Sequence, residues 1–342
     1  MNATWRDHLL TRNVVIHDDT VTNFGQPAAE LAALRDGTVL CDLSHSGLIE
    51  FAGGDAEGFL QGQLSCDVRQ ASPGQALYGG YCSPKGRLLA TFLLWRSEAS
   101  FYMQLPAALR EPIQKRLGMF VLRSRVKLSD ASDALIRLGL AGPGAPAAVQ
   151  EILGRSPSGR LAVADAEGIT VIRLSDQRFE LVSSPERAVS LWDALAERAT
   201  PAGAAAWEWH EIREGIPLVL PLNQDQFVPQ MANLELMGGV SFQKGCYPGQ
   251  EIVARTHYLG RLKRRMYLAH LESETAPAPG DEVYAPDTPG QAVGTIVRAA
   301  PAPEGGFDLL AVAQMSSAAA GNLSWKSPGG PVLRLLPPPY PL

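Results

Sequence analysis

The densest run of chemically useful residues is Phe242-Gln243-Lys244-Gly245-Cys246-Tyr247-Pro248-Gly249-Gln250-Glu251. Two glycines and a proline close together force a sharp turn, and Cys246 lies inside it. The residues that follow predict a helix from Gln250 to Tyr258, whose free first-turn N–H groups would face Cys246 or a bound anion. Lys244 stands two residues from the thiol. A cation and a helix N-terminus both favour thiolate, the form that exchanges with disulfides and binds soft metals. The chemistry on offer is that of a reactive thiolate. The alternative is a tight helix-entry turn around an inert cysteine. Gln250 and Glu251 either orient the turn or contact a ligand. Arg255, one turn beyond Glu251, contacts a ligand or closes an i,i+4 ion pair.

Other signatures are missing. Cys41, Cys66 and Cys82 fall in or near expected strands and read as small buried hydrophobes. No C-x-x-C pair marks a redox dithiol or zinc site, and no resident metal site is expected. Gly142-Pro143-Gly144 lacks the remaining positions of a dinucleotide fingerprint, and His210-Glu211 lacks the second histidine of a zinc-protease helix. There is no P-loop and no G-x-S-x-G elbow. His45 reads as structural.

The elements that must position the turn are those of a mixed chain. Its 342 residues suggest two or three domains. Hydrophobic residues at 46% and charged residues at 19% supply sizeable cores and exclude wholesale disorder. Thirty basic residues against 35 acidic give a net charge of −5, which argues against a dedicated binder of duplex DNA. The four cysteines fit a reduced, cytoplasmic setting. Met1–Thr11 has no secretory pattern, and the longest nearly apolar run, Leu88–Trp95, is too short to span a bilayer, so no membrane association is expected.

Strands are expected at 39–43, 47–51, 77–82, 87–95 and 100–105, with helices at 28–35, 55–64 and 106–117. A similar block follows, with strands at 134–140, 169–174 and 179–182 and helices at 146–153 and 185–198. That order suggests split β-α-β units of ferredoxin-like type in an α+β protein. Short helices are expected at 207–215 and 229–237. From Arg261 onward, strands with Pro/Gly breaks predict a small β-barrel, ending in a stiff, exposed Pro337–Pro339 tail. The expected portions are 1–130, 131–260 and 261–342.

Lys244-Gly245-Cys246-Tyr247-Pro248-Gly249-Gln250-Glu251 resembles the K-G-C-[YF]-x-G-Q-E signature of the YgfZ branch of the YgfZ/GcvT family. Gly215-Ile216-Pro217, Phe227-Val228-Pro229-Gln230, Asn233-Leu234, Val253-Ala254-Arg255 and Phe59-Leu60-Gln61-Gly62-Gln63-Leu64 with Asp67-Val68 agree, so the resemblance covers nearly the whole chain. It implies a three-domain ring of two mixed α/β portions and a C-terminal β-barrel, with tetrahydrofolate as ligand. It further implies a role in maturation or repair of iron–sulfur proteins, with tRNA-methylthiolating radical enzymes among the clients. The implied partners are iron–sulfur clients and assembly factors, met through Cys246 and Lys244 with transient cluster contact; the chain itself is expected to be a monomer or weak dimer. Gly245, Tyr247, Gly249, Gln250, Glu251, Arg255 and Arg213 are the implied cofactor-binding set.

The other branch of that family, the glycine-cleavage aminomethyltransferase, places an aspartate after the glycine of a hairpin turn. The matching stretch here, Lys85-Gly86-Arg87-Leu88-Leu89-Ala90-Thr91, has no carboxylate. The transferase's pterin-contacting glutamate is matched by Arg213 in Glu211-Ile212-Arg213-Glu214-Gly215, or by Glu214 if the alignment slips by one. Both departures argue against aminomethyl or methyl transfer, which stands as the alternative function. The basic run Arg261, Lys263, Arg264 and Arg265 would attract a folate polyglutamate tail or RNA phosphates, or form a solvated strand edge. Tyr78, Tyr81, Trp207 and Trp209 are candidates to stack on a pterin, or core residues.

Overall fold

The computed structural model describes residues 1–342. They form two compact units, each drawn from separated stretches of chain: 1–56 with 69–77 and 94–207, and 57–68 with 78–93 and 208–342.

The first unit is built on a six-stranded sheet. Its order is Ala162–Ala166, Ile169–Arg173, Arg178–Ser183, Ile136–Ala141, Val39–Asp42 and Thr200–Ala202. Helices Ala145–Leu153 and Pro185–Ala196 follow their strands closely. In the second of these, Ala188, Leu191, Trp192 and Leu195 fall on one face at helical spacing and are buried. They meet Leu138, Leu140, Phe179 and Leu181 from the sheet. The expected second block is therefore real, with one correction. Val39–Asp42, assigned to the first block, pairs antiparallel with Ile136–Ala141, Leu40 opposite Leu140. Four consecutive buried residues fit an interior strand of any sheet, so local pattern could not choose the partner.

Helix Ala3–Leu10 was not foreseen, because its apolar residues are too few to form a stripe. Two of them suffice: Trp5 and Leu9 are fully buried, and the Trp5 indole donates to Asp42 at 2.7 Å. In the same unit Ser46–Ala52 pairs with Ser100–Pro106 and Lys127–Asp130. Helix Ala107–Gly118 lies against the first of these strands, and a Cβ at Gly47 would sit 2.6 Å from Arg110 Cβ.

The second unit contains the expected C-terminal barrel. Its strand order is Ser324–Trp325, Glu282–Tyr284, Gly294–Pro301, Phe307–Gln314, Arg264–Leu271 and Leu333–Leu335. The two edge strands meet through a Ser324–Val332 bridge and a 2.8 Å bond from Leu333 N–H to Leu323 O, which closes the sheet. Period-two alternation divides the strand residues between two faces. Leu309, Ala311 and Ala313 join the barrel interior with Ile296 and Trp325, while Leu310 and Val312 face outward beneath Ile212 and Phe227.

Also in this unit, the helix at 250–258 starts and stops as expected. The one expected at 229–237 is a single short 3-10 turn, Pro229–Ala232, ended by Asn233 at φ 57°. Asn233 bonds the Met266 carbonyl and accepts from Arg265, so tertiary partners fix that left-handed residue. The proline tail is exposed, but it is tied back: Tyr340 donates to Gly215 O at 2.9 Å.

Candidate functional site

Residues 239–251 run over the segment 64–66, and the two are stitched together by polar groups. The Lys244 ammonium donates to Leu64 O at 2.5 Å and to Cys66 O at 2.8 Å. Ser65 Oγ donates to Gly239 O at 2.6 Å and accepts from Gly80 N–H at 2.8 Å, and Ser241 N–H reaches Ser65 O. Upstream, Gln61 clasps both the Asp67 carboxylate and the Val68 N–H, which shapes the loop that presents those carbonyls. Lys244 is only 7% exposed, and its ammonium lies 5.2 Å from the centre of the buried Tyr247 ring. Burial pushes the Tyr247 phenol up, and nearby Cys82 and Cys66 add to it. Lys244 and Tyr247 therefore form the inward-facing half of the motif.

The outward half is Gly245 and Cys246, both exposed. The space where a Cβ of Gly245 would stand is open. Cys41, Cys66 and Cys82 are buried. Burial pushes the Cys66 and Cys82 thiols up to about 12 and drives Cys41 upward as well. Cys246 is thus the one thiol of the four presented to solvent. It can exchange with a disulfide, be oxidised, or donate to a soft metal.

The turn is held from the other side by a glycine-to-glycine contact. Gly249, at φ 79°, caps the helix Gln250–Tyr258. A Cβ there would strike the Ser83 carbonyl and come within 2.6 Å of Gly86 Cα. Gly86, at φ 69°, closes the hairpin turn Ser83-Pro84-Lys85-Gly86, and its own Cβ would lie 2.8 Å from Ile252 Cβ. Only glycine meets both demands, a left-handed backbone and contact at this range. Gln230 adds a third support, donating to Val253 O at 2.7 Å. Glu251 in the first turn and Arg255 and His257 in the last complement the helix dipole. Glu251 and Arg255 are exposed and make no ion pair with each other, so the i,i+4 alternative does not form.

Arg213 belongs to a different cluster. It lies 3.4 Å from the buried Asp308 carboxylate, with its guanidinium 5.8 Å from the Trp209 ring centre. Asp308 also accepts from Trp209 Nε1 at 2.9 Å and faces His270 Nδ1 at 2.8 Å. Glu211 pairs with Arg298 at 2.7 Å. The helix face matched to the pterin contact is thus engaged with the barrel. Tyr78, Tyr81 and Trp207 are buried core residues.

Two polar residues at the site escaped sequence reasoning. Ser65 carries no chemical motif, and its role needs the tertiary fold. The stretch Lys85–Thr91 carries no carboxylate of its own, but Asp225 stands beside the hairpin turn: it accepts from Ser83 Oγ at 2.7 Å, while Arg87 binds the Gln226 carbonyl at 2.6 Å. The acid arrives from a loop far along the chain, where no local signal marks it.

Comparison with known proteins agrees with the signature. The GCVT N-terminal domain family matches residues 19–237. The chain belongs to the YgfZ/GcvT family. The tRNA-modifying protein YgfZ of Shigella boydii serotype 4 is 31% identical over 259 residues, covering 75% of this chain and 79% of that one. Its counterpart in Escherichia coli O157:H7 is 32% identical over the same length and coverage. In structure, the glycine cleavage system aminomethyltransferase T from Bartonella henselae aligns with a TM-score of 0.79. That alignment covers 98% of this chain and 96% of that one, at 16% identity, and it shows a shared fold. No helix is long and apolar enough to cross a membrane.

Proposed function

We propose that this chain is a folate-binding accessory protein in the maturation or repair of iron–sulfur proteins, with Cys246 as its working thiol. The observation that carries the reading is the division of labour within one motif. Lys244, Tyr247 and Gly249 are spent on fixing the turn, and Cys246 is left exposed at its crest. A hydroxyl in its place would ligate iron poorly and undergo no thiol exchange. One thiolate does not hold a four-iron cluster, which takes four. Cys246 therefore acts on a cluster or iron that a client or a second thiol also holds.

The folate part rests on family membership. Arg213, at the position matched to the pterin contact, does not fit that role, because it is committed to Asp308. Calorimetric titration of the purified chain with tetrahydrofolate tests binding directly, and Arg213→Ala should leave the affinity within about twofold. Cells lacking the protein, grown in air, should lose activity of four-iron enzymes and regain it with the wild-type gene. Unchanged enzyme activity in those cells would remove the maturation reading.

Asp225 supports one second reading, aminomethyl transfer, by putting a carboxylate at the hairpin turn. That reading requires product from tetrahydrofolate and an aminomethyl-lipoyl carrier, and loss of product in Asp225→Asn.

A further inference from the structure

We propose that the outer end of the helix Gln250–Tyr258 and the segment leading into the barrel form a binding surface for single-stranded RNA. The first observation is charge. Residues 250–265 carry Arg255, Arg261, Lys263, Arg264 and Arg265 against one carboxylate, Glu251, in a chain whose net charge is −5. Arg265 is already neutralised by Glu235 at 2.9 Å. Arg255, Arg261, Lys263 and Arg264 make no side-chain hydrogen bond or ion pair, and three of them, Arg255, Arg261 and Lys263, are exposed. Cations that stabilise a fold are paired, as Arg213 and Arg298 are in this same unit. Four unpaired ones within ten residues of sequence give this segment a local excess of positive charge that would attract an anion.

The second observation is aromatic and independent of charge. Phe242 stacks on His257 with ring centres 3.9 Å apart and planes 14° from parallel. Tyr258 packs edge-on to both rings, at 6.0 Å from Phe242 and 4.8 Å from His257. It is nevertheless 66% exposed. A braced ring left open to solvent, with unpaired cations close by in sequence, suits a stacked base with its phosphates alongside. An acidic peptide would use the cations and leave the ring idle. A duplex offers no free base face. Unpaired, splayed-out bases are the usual state of RNA loops and ends, which makes RNA the occupant that uses both features.

The test is fluorescence anisotropy of the full chain with a labelled, unstructured 12-nucleotide RNA, from 50 to 200 mM KCl. Four engaged phosphates predict a log–log salt slope of roughly −2.8, at about −0.7 per contact. Arg261→Ala/Lys263→Ala should reduce the slope by about 1.4. Tyr258→Ala should weaken binding roughly 5- to 150-fold and leave the slope unchanged, as expected for one stacked base. All three positions are exposed, and circular dichroism checks that the variants fold. Absence of RNA binding overturns the inference. So does competition by a polyglutamate peptide as effective as RNA with no effect of Tyr258→Ala, or equal binding of a duplex of the same length.

Discussion

Thiol accessibility gives the sharpest test of how the cysteines are arranged. Cys66 and Cys82 are pushed up to about 12 by burial, and Cys41 is driven upward for the same reason. At pH 8 a thiol with pKa 12 is ionised to about 1 part in 10⁴, whereas an ordinary thiol near 8.5 is about one quarter ionised. Thiolate content alone slows the buried residues by roughly 2,000-fold relative to an ordinary thiol, before access is counted. An aromatic disulfide reagent added to the native chain at pH 8 should therefore release one equivalent of chromophore in a burst. The remaining three should appear only as the chain opens. In denaturant the wild type should give four fast equivalents and Cys246→Ser three. Cys246→Ser should show no native burst at all. More than one equivalent in the native burst, or a burst that survives Cys246→Ser, would refute the division into one exposed and three buried thiols.

The same burial has a consequence in alkali. Thiols whose folded pKa lies above the unfolded one add stability that is full below about 9 and lost as pH rises toward 12. Each should remove roughly 1.4 kcal/mol per pH unit across that window. Stability from urea unfolding should change little between pH 8 and 9 and fall from pH 9 to 10.5, and Cys66→Ala/Cys82→Ala should flatten that fall. Lys244→Met strands two buried carbonyls and should cost about 2–4 kcal/mol in urea unfolding. It should leave the native Cys246 modification rate within twofold; a tenfold change would restore Lys244 as the partner of the thiol. Gly249→Ala meets a left-handed φ and the Gly86 backbone together. It should destabilise by about 3 kcal/mol or more, read as a drop in Tm, while Gly245→Ala, facing open space, should cost under about 1 kcal/mol.

Much of this was legible in the sequence because it was local. The helix after Gly249, the paired strands around the Pro84–Gly86 turn and the barrel strands follow from turn residues and period-two or helical spacing that neighbours alone enforce. The placement of Cys246 on a glycine-rich crest was legible for the same reason. What escaped was decided at long range. Lys244 looks like a neighbour of the thiol in sequence, yet its chain reaches inward to carbonyls about 180 residues away. Asp225 reaches Ser83 across 142 residues. Arg213 is claimed by a carboxylate 95 residues downstream. Val39–Asp42 joined a sheet whose other strands begin nearly a hundred residues later, and four buried residues in a row carry no record of which partner they will meet.

The proposed role of the fixed turn is to present one working thiol. The most direct measurement is tRNA methylthiolation in cells grown in air, with wild-type chain, no chain, Cys246→Ala or Cys246→Ser at equal protein levels. Loss of the modification in the deletion and in both cysteine variants, with wild type restoring it, is the predicted result. Full modification in the cells carrying Cys246→Ala would show that Cys246 is not the working thiol.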